Sequence, residues 1–159
     1  MENLNNQIDT MFREKTYHIE AENAARIKKY TIRYTKSNQK YSHEHLEALL
    51  GSYEKAIRDI PRQFLRIEKT ARSKYLVPLD EKRRSLIIDV MITDVEMLIE
   101  KMNREYRTIF KNQHRLEEFD NRMKDTLIIA KQKIDEECIK TTESLNEKFS
   151  TTSRIKPGE

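Results

Sequence analysis

The stretch Lys111-Asn112-Gln113-His114-Arg115-Leu116-Glu117-Glu118-Phe119-Asp120 decides the fold of this chain, because between Pro78 and Pro157 neither proline nor glycine occurs. If the stretch is helical, residues 80–150 form one rod. If it turns, they form two helices folded back on each other. Glutamine, histidine, arginine, leucine and glutamate are all tolerated inside a helix, so intrinsic preference favours continuity.

The apolar pattern on either side of the stretch keeps one phase. Alternating four- and three-residue steps from Ile88 reach Ile92, Val95, Ile99, Met102, Tyr106, Ile109, Gln113, Leu116, Asp120, Met123, Leu127, Ala130 and Ile134. Only Gln113 and Asp120 are polar, and Phe119 can replace Asp120 in the stripe by a small rotation. Cys138, Thr142, Leu145 and Phe149 carry the stripe onward at spacings nearer the helix's own period. Such a seam holds one face of a helix against a partner along its length, and a polar residue in it penalises wrong registers.

Upstream, the same spacing lands on Leu46, Leu50, Tyr53, Ile57, Ile60, Phe64, Ile67 and Ala71. Pro61 interrupts this span's backbone hydrogen bonds but not its phase, which predicts a kink or short break near Arg58–Pro61. Further upstream, Ile8, Ile19, Tyr30 and Tyr41 recur every eleven residues, as do Phe12 and Tyr34 around Asn23. That repeat follows a nearly straight path. The polar run Thr35-Lys36-Ser37-Asn38-Gln39-Lys40 marks a break, with Ser42 and Asp80 placed to cap the helices that follow. Three helical spans result, about 4–36, 42–76 and 80–150.

At about 1.5 Å per residue the third span would be about 105 Å long and the others about 50 Å each, so a hairpin of the first two covers only half of it. The expected fold is all-α: an elongated three-helix coiled-coil bundle. Residues 1–79 form a kinked helical hairpin, 80–150 a long heptad-bearing helix and 151–159 a disordered tail. On this reading Leu116, Met123, Leu127, Ala130, Ile134, Cys138, Leu145 and Phe149 form a seam for another coiled-coil chain, in a homo- or hetero-oligomer, and Gln113 and Asp120 set its register. The alternative is an antiparallel four-helix bundle that folds back near 111–121.

Composition narrows the function classes. Charged residues make up 36% of the 159-residue chain, apolar ones another 36%, and there are only 2 Gly and 3 Pro. A thick globular core, an all-β sandwich and glycine-rich phosphate loops are set aside on those counts. The amino terminus has no secretory pattern and no apolar run approaches the length of a membrane span. With the single Cys138, this predicts an intracellular protein, cytoplasmic or nuclear.

The net charge of +4 is concentrated in the amino-terminal half. From Asn23 to His43 there is no acid, and Arg26, Lys28, Lys29, Arg33, Lys36 and Lys40 are interleaved with tyrosines. A second basic stretch runs through Arg62, Arg66, Lys69, Arg72 and Lys74 to Lys82-Arg83-Arg84. The first set is the candidate for binding a polyanion, either nucleic acid or an anionic membrane surface, although a solvated helix face explains it as well. In His43-Glu44-His45 the histidines are two apart and point to different sides of a helix, so no metal site is expected there. No nucleophile, base and orienting group stand at catalytic spacing, and no cofactor motif is present.

The expected function is therefore a non-enzymatic scaffold subunit of an intracellular multiprotein complex, of the kind found in cytoskeletal, chromosome-segregation or trafficking assemblies. A polyanion-binding helical module is the alternative. The rod reading expects Leu127→Asp or Ile134→Asp to abolish partner association in co-purification while the amino-terminal half stays helical.

Overall fold

The computed structural model of the chain describes residues 2–110 and 113–154. These form four helices, α1 (Glu2–Lys36), α2 (His43–Tyr75), α3 (Glu81–Tyr106) and α4 (Gln113–Arg154), and among the described residues there is no strand. The fold is an all-α bundle.

The start signals work as their chemistry requires. The Ser42 side chain accepts a hydrogen bond from the His45 backbone N–H at 3.2 Å, and Asp80 accepts from Arg83 at 2.7 Å. Each satisfies a donor that the first helical turn leaves unmet. α2 ends at Leu76 in the left-handed conformation, its N–H bonded to the Arg72 carbonyl, a position that glycine usually holds. α2 passes through Pro61 without the short break the sequence suggests. The Pro61 ring is buried and helps line a shallow groove against Ala130 of α4.

α2 is the central element. Its heptad positions Leu46, Leu50, Tyr53, Ile57, Ile60, Phe64 and Ala71 are all buried. The eleven-residue pattern of α1 packs on it antiparallel: Ile8, Phe12, Ile19 and Asn23 are buried, and Phe12 stacks on Phe64 with ring centroids 3.8 Å apart. A polar clasp sets this register. Ser52 donates to Asn23 at 2.6 Å, while Arg26 donates to the Ser52 hydroxyl at 2.9 Å and to its carbonyl at 3.2 Å. α3 returns antiparallel to α2, with Tyr53 edge-on to Tyr106 and its hydroxyl donating to Glu105.

The expected long helix over 80–150 is corrected: the chain reverses after Tyr106, and α4 runs back antiparallel to α3. Arg107 pairs with Asp120 at 2.8 Å, Glu96 with Lys131 at 3.4 Å, and Phe110 stacks on Phe119 at 4.6 Å. Arg122 anchors α4 to α2 through Glu47 and Glu54, at 2.7 and 2.6 Å. The reversal forfeits a few helical hydrogen bonds, each worth about 0.5–1.5 kcal/mol net. In return it buries Phe119, Ile134 and Leu145, each worth roughly 1.5–3 kcal/mol. Burial wins over local preference, and the four-helix arrangement is the one that forms.

The seam assigned to a partner is thus covered by the chain itself. Ile134, Cys138 and Leu145 are fully buried, and Leu116, Met123, Leu127, Ala130 and Phe149 are partly buried against the same core. Asp120 sits off the core on its ion pair with Arg107, and Phe119 takes its place. Gln113 opens α4, and its side chain lies outside the described residues. The tail expected from 151 is also corrected, since α4 continues through Arg154; the rest of it lies outside the described residues.

Ile134→Asp therefore places a charge in the chain's own core. We expect urea unfolding of the isolated protein to show a loss of about 3 kcal/mol or more; an unchanged midpoint would restore the rod.

Candidate functional site

α1 and α3 both lie against α2, yet no Cα of one comes within 8 Å of the other. They run parallel and leave a cleft. One end is closed by an ion pair between Asp9 and Arg83 at 2.7 Å. Beyond it the floor is formed by Phe12, Phe64 and Ile87, with Leu86 and Val90 on the α3 wall and Thr16, Tyr17 and Glu20 on the α1 wall. The cavity volume is about 480 Å³. Leu86 is 52% exposed and Tyr17 70%; Met97, two turns beyond Val90 on the same stripe, is 61% exposed.

Asp94 lines this cleft, half-buried. Burial pushes its carboxyl above the usual range, and the nearby Glu20 carboxylate pushes it the same way. Neither acid forms an ion pair with a cation among the described residues. Thr16 adds a buried hydroxyl without a hydrogen-bond partner.

The closed end is held by a buried charge network. Glu68 accepts from Arg72 Nε at 2.6 Å and from Arg83 Nε at 3.2 Å, while Arg83 also reaches Asp9. Arg72 donates further to the Pro78 carbonyl at 3.1 Å and to Asn5 Oδ1. These two arginines, part of the second basic stretch in the sequence, are internal and tie α1, α2 and α3 together.

The first basic set is divided. Lys28, Lys29, Arg33, Lys36 and Lys40 are exposed and form no ion pair among the described residues. Arg26 is half-buried and committed to Ser52. Beside them the α1–α2 turn is closed by His45, which is fully buried, stacks on Tyr34 at 4.8 Å and on Tyr41 at 5.6 Å, and accepts the Tyr41 backbone N–H on Nδ1 at 2.8 Å. Tyr41 takes a left-handed φ of 62°, a conformation costing about 1–2 kcal/mol for a residue with a side chain. Stacking and the histidine bond offset that cost.

His43 is exposed while His45 is buried, so the pair shares no surface. Burial pushes the Cys138 thiol up, away from the reactive thiolate. Among the described residues no three His, Cys, Asp or Glu side chains gather in a way that holds a metal ion, and no helix is long and apolar enough to cross a membrane. Comparison of the chain with family models, with curated proteins and with solved structures finds no match.

Sequence reading missed the cleft. Its signal was present: Leu86, Val90 and Met97 fall on one stripe outside the heptad seam of Ile88, Ile92, Val95 and Ile99. What could not be read is that α1 stands too far away to cover them.

Burial first, and Lys40 second, lower the His45 pKa from 6.5. The unfolded chain therefore binds more protons than the folded one between that lowered value and 6.5, so stability falls as pH drops through this window. Thermal melts should show a fall in Tm on going from pH 7 to 5 that is smaller in His45→Phe, which cannot take up the proton. Parallel curves for the two proteins would refute the assignment.

Proposed function

We propose that this protein is a non-enzymatic helical-bundle interaction module, a structural subunit that holds another chain within an intracellular multiprotein complex. The observation that carries the reading is the cleft between α1 and α3, where Leu86 and Tyr17 stand in solvent beside a floor of buried aromatic rings, with Met97 exposed further along the same α3 stripe. Large apolar side chains scattered singly on a surface need no explanation. Grouped along a groove with polar rims, they mark an interaction site. The C-terminal seam no longer supplies this function, so the partner surface moves from α4 to the opposite side of α3. A lone, buried thiol at Cys138 supports a reducing compartment, cytoplasm or nucleus.

The test is co-purification with Leu86→Asp/Met97→Asp against the unaltered chain. Both residues are exposed, so circular dichroism should be unchanged while stably associated chains are lost. Retention of the same associated chains would overturn the reading.

The exposed Lys28, Lys29, Arg33, Lys36 and Lys40 favour a second reading, a polyanion-binding surface for nucleic acid or an anionic membrane. Binding to duplex DNA or to phosphatidylserine vesicles should then weaken steeply with salt and disappear in Arg33→Glu/Lys36→Glu. A shallow salt response, or binding that survives the charge reversal, would eliminate this alternative.

A further inference from the structure

We infer that the occupant of the α1–α3 cleft is an amphipathic helix of a partner protein, carrying a lysine or arginine that enters between Glu20 and Asp94. This inference rests on the interaction-module reading and names the chemistry of its ligand.

The helical form follows from what the cleft offers. Its walls are two α-helices whose backbone groups are bonded internally, and among the described residues there is no strand edge to pair with an extended peptide. An extended ligand would leave its own amides unmet along an apolar floor, whereas a helix satisfies its backbone before it docks. Leu86 and Val90 line the cleft and the exposed Met97 continues their stripe beyond it, about 16 Å or roughly three helical turns in all. A partner segment of similar length with apolar residues at i, i+4, i+7 and i+11 matches that stripe. Seated there, it would supply the packing that α1 is too distant to give α3.

The cation follows from charge. Glu20 on α1 and Asp94 on α3 both line the cleft, and after burial itself it is the Glu20 carboxylate that disfavours ionisation of Asp94. The remaining acid of the cleft, Asp9, is already paired with Arg83. Arg13 also lines the cleft, seven residues before Glu20, which is about 10 Å along the helix axis and nearer the closed end. A guanidinium or ammonium entering opposite Asp94 replaces a like-charge contact with charge-assisted hydrogen bonds in a partly water-excluded setting. An acidic residue in that place meets two carboxylates and is rejected, so the same pair attracts one partner class and repels the other.

The experiment is selection of binders to the full chain from a displayed library of helical peptides of 16 residues or so, followed by affinity measurement of a selected peptide. The inference expects peptides with an apolar stripe flanked by Lys or Arg. Their affinity should fall at least tenfold in Glu20→Gln/Asp94→Asn, be lost in Leu86→Asp, and decline with salt. The decisive arm is a charge swap: Glu20→Lys should reject the selected peptide and accept its Lys→Glu counterpart. Peptides that need Leu86 but ignore Glu20 and Asp94 would overturn the inference and leave the interaction module standing. Selection of acidic helices would overturn it in the same way. If no selected peptide depends on Leu86 or Val90, both fall together.

Discussion

An apolar stripe running the length of a helix must be removed from water, and most of this structure is the outcome of that requirement meeting a chain of limited length. Residues 88–149 carry too many large apolar side chains for the α1–α2 hairpin to cover as one rod. Reversing after Tyr106 lets α4 lie on both α2 and α3, so Ile134, Cys138 and Leu145 become fully buried. The turn itself is sealed by the Phe110–Phe119 stack and the Arg107–Asp120 pair. Everything else about the bundle, including which side of α3 is left uncovered, follows from where α4 lands.

With α4 on one side of α3 and α2 beneath it, α1 can reach only α2. The Ser52–Asn23–Arg26 clasp fixes α1 there, and the Glu68–Arg72–Arg83–Asp9 network pins its amino-terminal end to α2 and α3. Buried ion networks of this kind add little net stability compared with apolar packing, but removing one member costs about 3–5 kcal/mol because the others stay buried and unpaired. The network thus acts as a registry device. It closes one end of the α1–α3 cleft and leaves the rest open, which makes the cleft a product of the fold's asymmetry.

This asymmetry also separates two surfaces that are mixed in the sequence. The exposed Lys28, Lys29, Arg33, Lys36 and Lys40, near the end of α1 and in the turn after it, lie beside a tightly stacked Tyr34–His45–Tyr41 turn. The cleft lies along the first half of α3 and is acidic at Glu20 and Asp94. One chain therefore presents a basic end and an acid-lined groove. A solvated face explains the first adequately, whereas the second combines exposed apolar groups with uncompensated charge.

Local chemistry alone determined the all-α class, the breaks near Thr35–Lys40 and at Pro78, the capping roles of Ser42 and Asp80, and the buried faces of α1 and α2. Each depends on residues within a turn or two of one another, and periodicity or a side-chain hydrogen bond reports it directly. The break after Tyr106 and the fate of the C-terminal seam were not legible in this way. No glycine, proline or left-handed residue marks the described part of that turn, and a heptad stripe has the same spacing whether its cover is another protein or its own chain. The cleft was hidden for a related reason: Leu86, Val90 and Met97 can be seen to share a face, but their exposure depends on the distance between α1 and α3. That distance is set by how four helices divide the surface of α2, a choice made by long-range packing that no local pattern encodes.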